Sequence, residues 1–267
     1  MDGRVLIIAG SDSGGGAGIQ ADIKAVTAMG GFAMTAITAL TAQNTLGVEG
    51  IHEVPAAFVA DQIRVVAGDL GADCLKTGML HSPEIIETVC AALDAHTPGV
   101  PLVVDPVMVA KGGATLLQDD AVATLRDRLV PRAAVLTPNA PEAEVLTGLT
   151  ITDSASAEAT AHALGALGSQ AVLLKGGHLP GDTVIDRLWQ DGAIEVFEGP
   201  RIDTTSTHGT GCTLASAIAA GLAQGRSVRD AVVRARAYVI EAIRSAPGYG
   251  HGHGPLNHGH TVEIPED

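Results

Sequence analysis

The stretch 207–213, THGTGCT, packs the most reactive groups into the fewest residues. Gly209, Thr210 and Gly211 place unpaired backbone N–H groups at the start of a small-residue helical pattern, LASAIAAGLA. Such a start is a nest for a phosphate or an oxyanion. Cys212 stands inside it, and a helix N-terminus favours thiolate, so a lowered thiol pKa is expected. The competing reading is a buried structural cysteine. The coincidence of two glycines, a helix start and a thiol favours function. Cys74, in a strand pattern, and Cys90, in a helical one, read as structural. Thr207 opens the nest and His208 abuts it.

Three other segments carry chemistry. Gly14-Gly15-Gly16-Ala17-Gly18 leads into a helix beginning near Ile19. It is either a ligand loop or a tight structural turn. Residues 16–21 match G-x-G-x-x-A, but no Asp or Glu ends the next β-like segment, AITALTAQN, as a dinucleotide site requires. No Gly-Lys pair exists, which excludes a Walker A loop. Asn139 and Glu142 form N-x-x-E where a strand pattern enters a helix. One turn of helix can aim both at hydrated magnesium or phosphate, or they form a capping box. Asp105 before Pro106, and Lys111 beside Gly112-Gly113, could serve magnesium and phosphate, or only a turn.

The elements that must hold these groups alternate along the chain. Runs 5–9, 74–77, 102–105, 134–137 and 171–175 are mostly continuous apolar stretches, the pattern of parallel strands covered on both faces. Pro55 opens a helix with Val59, Ile63 and Val66 on one face. Ser82-Pro83-Glu84 reads as N-cap, first position and acidic first turn, before Ile86, Val89 and Leu93. Asp119 and Asp120 precede a stripe of Val122, Leu125 and Leu129. Segments 183–189 and 193–198 read as a hairpin around Asp191-Gly192. Helices are expected at 211–223 and 228–244. The order predicts an α/β fold of three layers, a mostly parallel sheet with helices on both faces. Ligands of such sheets bind at the carboxyl ends of the strands. Those ends carry the Gly-rich turn, Gly78-Met79, Asp105, Asn139 and Lys175-Gly176-Gly177-His178. With no repeat and no long linker, residues 1–267 read as one domain, with 246–267 as its Gly/His-rich end.

Composition narrows the partners. Lys plus Arg is 16 and Asp plus Glu 30, a formal charge of -14, and aromatics are 2%. A basic footprint and stacking platforms for nucleic acid are both missing. Three cysteines without C-x-x-C argue against a zinc ribbon or a disulfide framework. The apolar stretches 32–42 and 213–223 fall short of the ~18 residues a membrane helix needs. The opening lacks a signal-peptide pattern. These features read as a soluble cytoplasmic protein with no membrane partner. Four of ten histidines fall in 251–260, but alternate spacing in a Gly-rich tail reads as lacking the fixed geometry of a metal site.

Seven ordered blocks then resemble one family: GSDSGGGAGIQAD (10–22), TALTAQNT (38–45), TGM (77–79), DPVMVAKGG (105–113), TPNAPEAE (137–144), KGGH (175–178) and THGTGCTLASAI (207–218). They are similar to the hydroxymethylpyrimidine/phosphomethylpyrimidine kinases of thiamine biosynthesis. The tail GHGHGPLNH (250–258) is similar to theirs too. The resemblance implies a ribokinase-like fold, ATP as co-substrate, Mg2+ and a homodimer. It implies phosphorylation of 4-amino-5-hydroxymethyl-2-methylpyrimidine to the monophosphate and then the diphosphate. Gln43 is implied at the pyrimidine, because an amide donates and accepts at once. Asp22 and the backbone of Gly10 and Val107 would complete the pocket, with Met79 against the ring. Lys175, Asn139, Thr207, His208 and Lys111 would serve the nucleotide, and Glu142 and Asp105 the metal. Gly209, Thr210, Gly211 and Cys212 would hold the moving phosphoryl group. Relatives in the wider fold carry Asp where Cys212 stands, so a thiolate base is expected. No thiamine-phosphate synthase domain is expected within the 267 residues. The nearest alternative is a pyridoxal or pyridoxine kinase. A fold-retaining sensor and a nicotinamide oxidoreductase fit the motifs less well.

Overall fold

The structure, a computed structural model, describes residues 1–110, 113–118, 120–179 and 181–263. Its centre is a nine-stranded sheet. In chain order the strands are β1 (Arg4–Asp12), β2 (Phe32–Gln43), β3 (Val48–Glu53), β4 (Cys74–Thr77), β5 (Leu102–Val104), β6 (Val135–Leu136), β7 (Ala171–Leu174), β8 (Thr183–Gln190) and β9 (Ala193–Pro200). Their spatial order is β3-β2-β1-β4-β5-β6-β7-β8-β9. The six strands from β2 to β7 run parallel, while β3, β8 and β9 join as antiparallel edges.

Among the described residues eight helices cover the sheet: α1 (Gly18–Ala28), α2 (Ala56–Asp69), α3 (Pro83–His96), α4 (Ala121–Thr124), α5 (Ala140–Thr147), α6 (Ser154–Ala166), α7 (Thr210–Ala223) and α8 (Val228–Arg244). β1 shows why the apolar runs are continuous. Its Leu6 and Ile8 join a core with α2, α3 and α6, through Val59, Ile86 and Leu164. Its Val5, Ile7 and Ala9 join a second core with α1, α7 and α8, through Val26, Ile218 and Val239. A strand buried on both faces has no polar alternation to show. Among the described residues no helix is long and apolar enough to cross a membrane.

Local chemistry sets the helix starts. Ser82 caps α3, its Oγ accepting from Ile85 N–H at 3.4 Å, with Pro83 at the first position. The stripe at 122–129 does not form one helix. α4 is four residues long, 125–129 winds wider and 130–132 tighter. Pro131 lacks the N–H a continuing helix needs there. Leu125 and Leu129 are buried regardless. Asp119 lies outside the described residues.

Candidate active site

The parallel strands bring their C-terminal ends to one edge, and a cavity of about 750 Å³ opens there. Gly10 and Asp12 from β1, Gln43 from β2, Met79 after β4, Asp105 and Val107 after β5, Asn139 and Glu142 after β6, and Lys175 after β7 all line it. The start of α7 lines it too, with Thr207, His208, Gly209, Thr210, Gly211 and Cys212. Every segment is distant in sequence, and the sheet alone makes them neighbours.

The Gly-rich turn after β1 is organised by Asp12, which the sequence reading passed over. Its carboxylate accepts from the N–H groups of Gly14 at 2.8 Å, Gly16 at 3.1 Å and Ala17 at 2.8 Å. His208 Nε2 lies 2.8 Å from Asp12 Oδ2. Burial would raise the Asp12 pKa, but His208 and the backbone N–H groups outweigh it and hold it below the usual carboxylate range. An Asp two residues before a glycine run was the available signal. Gly209 begins α7 at φ +79°, and a Cβ there would collide with the Gly16 carbonyl. The Gly-rich turn and the α7 nest are therefore one packed unit. His208, expected at the nucleotide, lines the cavity and is tied to Asp12, with its Nε2 also 3.4 Å from the Gln43 amide.

On the other side of the nest, Lys175 Nζ lies 3.1 Å from Asp105 Oδ1 and 3.9 Å from Glu142 Oε2. A Cβ added to Gly211 would sit 3.2 Å from Lys175 Nζ, so the first turn of α7 faces this cluster. Burial would lower the Lys175 pKa, but Asp105 and Glu142 outweigh it and raise it, so the ammonium persists. Burial pushes Glu142 up to about 7, with Lys175 opposing and Asp105 adding to the rise. Asn139 and Glu142 form a capping box: Glu142 N–H donates to Asn139 Oδ1 at 2.9 Å, and Asn139 N–H to Glu142 Oε2 at 2.8 Å. The cap holds Glu142 at the cavity wall, so one pair serves the helix and faces the site. Lys111 lies outside the described residues.

Asp105 Oδ2 is buried and has no hydrogen-bond partner among the described residues. A bare carboxylate oxygen beside a second carboxylate suits a hard cation that keeps several waters and also binds a substrate phosphate. Among the described residues no three His, Cys, Asp or Glu side chains form a closed metal cluster. The donor set therefore fits magnesium carried with a nucleotide.

Two expectations are corrected. Asp22 does not line the cavity. It is fully buried, its carboxylate 2.9 Å and 3.0 Å from Lys76 Nζ, and it accepts from Ser216 Oγ at 2.7 Å. The helical register of α1 turns it inward to Lys76, which does line the cavity. Burial would lower the Lys76 pKa, but Asp22 above all raises it, so it is an ammonium beneath the nest. A lysine in the apolar strand CLKT was the available signal, because an unpaired lysine is rarely fully buried. Breaking this pair has a defined cost. Asp22→Ala is expected to lower unfolding free energy by about 3–5 kcal/mol, and adding Lys76→Met to recover most of it. Urea denaturation checks both, and an Asp22→Ala protein as stable as the parent refutes the assignment.

The second correction concerns Cys212. Burial pushes its thiol up to about 12, although Lys76 and the Gly18 N–H act to lower it. Desolvation of the anion outweighs the helix start. The histidine-rich tail is hydrogen-bonded to the rest of the fold. His253 N–H donates to the Thr45 carbonyl at 2.9 Å, and His258 Nε2 lies 2.9 Å from Thr213 Oγ1. Burial lowers the His258 pKa to about 4, so it packs as a neutral ring.

A nest at a helix start, facing a lysine and two carboxylates at the edge of this sheet, defines a ribokinase-like small-molecule phosphotransferase. The phosphomethylpyrimidine kinase family model matches residues 12–257. The chain belongs to the phosphomethylpyrimidine kinase family. It is 49% identical over 256 residues to the hydroxymethylpyrimidine/phosphomethylpyrimidine kinase of Bacillus subtilis, covering 96% of this chain and 94% of that one. It is 54% identical to a bifunctional thiamine biosynthesis protein of Geobacter sulfurreducens, over 96% of this chain and 52% of that protein, about half its length. Its structure is similar to a phosphomethylpyrimidine kinase from Clostridium difficile, with TM-score 0.80, 41% identity, and 90% and 99% of the two chains covered. It is also similar to a Bacillus subtilis pyridoxal kinase solved with ADP, with TM-score 0.90, 34% identity, and 97% and 98% covered.

Proposed function

We propose that the chain catalyses two successive ATP-dependent phosphorylations, of 4-amino-5-hydroxymethyl-2-methylpyrimidine and then of its monophosphate, as a cytoplasmic homodimer. One observation carries the reading. A single cavity joins a donor–acceptor amide beside an apolar surface, Gln43 and Met79, to a lysine–carboxylate cluster, with the α7 nest against both ends. The pyrimidine would lie at Gln43 and Met79, near the backbone of Gly10 and Val107. A Cβ on Gly10 would collide with the Met79 methyl, so glycine there lets the thioether lie flat.

Phosphoryl transfer needs positioning and charge neutralisation more than covalent chemistry. The N–H groups of Gly209, Thr210, Gly211 and Cys212 would hold the moving phosphoryl oxygens. Thr207 fixes that turn, its carbonyl accepting from Thr210 Oγ1 at 2.8 Å. Lys175 would balance charge on the nucleotide side, with Asn139 beside it. Asp105 and Glu142 would hold magnesium, which when bound neutralises charge on the phosphate oxygens. Incubating the protein with Mg-ATP and the alcohol, and resolving mono- from diphosphate over time, tests the whole reading. The likeness to pyridoxal kinases favours a second acceptor, and steady-state comparison with pyridoxal measures it.

The Cys212 thiolate would take the hydroxymethyl proton in the first transfer. With the thiol at about 12, the thiolate fraction near neutrality is small and rises about tenfold per pH unit. The first transfer is therefore expected to quicken from pH 7 to 9. The second transfer starts from an anionic acceptor and should lack that slope. Cys212→Ala should remove the slope and harm the first step more than the second. Equal losses with an unchanged pH profile would sink the base role.

A further inference from the structure

Building on the aminopyrimidine reading, we infer that Asp12 and His208 fix which way round the Gln43 amide sits, and so set the donor–acceptor order its substrate must match. The two orientations of an amide differ only in the hydrogen bonds they satisfy. Thr41 Oγ1 lies 2.9 Å from the Ser11 carbonyl and 3.0 Å from one arm of the amide. Thr41 has one hydroxyl proton for two acceptors, the Ser11 carbonyl and Gln43 Oε1 as placed. Both contacts become hydrogen bonds only if the arm facing Thr41 is Nε2, donating to Oγ1 while the hydroxyl donates to Ser11.

The other end gives the same answer. His208 Nε2 lies 2.8 Å from Asp12 Oδ2 and 3.4 Å from the second arm. Asp12 accepts three backbone N–H bonds and is a carboxylate, so His208 Nε2 must carry the proton. With its proton turned to Asp12, that nitrogen has no lone pair for an amide N–H, so the arm facing it is Oε1 rather than Nε2. With Oε1 at Thr41 and Nε2 at His208, one Thr41 contact lacks a proton and the His208 end sets donor against donor. A half-turn of the amide satisfies both.

The relay is rigidly held. Gln43 N–H donates to Ser13 Oγ at 2.9 Å, and Ser13 Oγ donates to the Gln43 carbonyl at 2.9 Å. His208 N–H donates to the Gly254 carbonyl at 3.1 Å, so the C-terminal segment braces the imidazole from behind. The amide then has one N–H, on the Thr41 side, and one carbonyl lone pair, on the His208 side, left for the cavity. A 4-aminopyrimidine presents a ring acceptor beside an exocyclic donor. A 4-oxo analogue presents a ring N–H beside an exocyclic oxygen, the reverse order. A fixed amide matches one and opposes the other in the same pose, while a freed amide can turn to suit either. His208 and Asp12 are thus positioning residues for substrate choice.

The test measures phosphorylation of the 4-amino alcohol and its 4-oxo analogue by the unaltered chain, His208→Leu and His208→Gln. His208→Leu is expected to raise KM for the amino alcohol about tenfold, with kcat less affected and KM for ATP unchanged. The amino-to-oxo ratio of kcat/KM should fall at least about tenfold. His208→Gln keeps an N–H within reach and should restore most of the ratio. Should His208→Leu fail to fold, Asp12→Asn carries the same expectation, because it frees the His208 tautomer. An unchanged ratio, or an equal fall in kcat on both acceptors at unchanged KM, overturns the inference. If the unaltered chain does not phosphorylate the amino alcohol, the functional reading falls first and the inference with it.

Discussion

Lys175→Met is expected to lower kcat of the first transfer by about a hundred- to a thousandfold, the cost of removing one group aimed at developing charge in a closed site. Among the described residues Lys175 is the cation within 4 Å of both Asp105 and Glu142, at 3.1 Å and 3.9 Å. Its Nζ lies 3.2 Å from where a Gly211 Cβ would be, so it faces the nest as well as the carboxylates. Methionine keeps the length and apolar stem but deletes the charge. The fold should survive. Lys175 lowers the Glu142 pKa, so without it Glu142 rises beyond about 7 and takes up a proton near neutrality. That relieves the repulsion that would otherwise remain between two buried carboxylates. A kcat within tenfold of the parent, with an unchanged melting curve, would remove Lys175 from the phosphoryl site. Lys175→Arg should not rescue, because the tight approach of α7 leaves no room for a guanidinium.

Gly209→Ala should be as damaging, for a steric reason. Gly209 has φ +79°, where an L side chain costs about 1–2 kcal/mol. The added Cβ also meets backbone, the Gly16 carbonyl with Ala17 Cα 3.1 Å away. No side chain can swing aside. The turn from 14 to 17 cannot yield easily, because Asp12 holds its N–H groups. The start of α7 must shift instead, and a displacement near 1 Å costs about a hundredfold in rate. Expected results are a kcat loss of that size and a lower melting temperature. Gly50→Ala is the control, since its Cβ would meet nothing within 4 Å and its φ is unstrained. Equal behaviour of the two variants would refute the nest.

The elements legible in the sequence share one property: each declares itself locally. Runs such as VLIIA show double burial in composition alone, and Ser82-Pro83 and Asn139 to Glu142 show caps in their spacing. β3 and α6 went unread for the opposite reason. β3 is a mostly exposed edge strand without an apolar run. α6, SASAEATAHALGA, is rich in alanine and serine, so no apolar stripe stands out from its polar face.

The same division runs through the site. The sequence by itself determined the family, the sheet edge that would carry the cavity, and nearly all the groups gathered there. Those follow from residue type and order. Only tertiary structure decided what each group faces. Asp22 turned inward to Lys76, His208 went to Asp12 and Gln43, and the Cys212 thiol rose rather than fell. Partners and desolvation depend on which residues distant in sequence close around a group. Hydrogen bonds and burial energies are properties of that enclosure, and local sequence does not contain it.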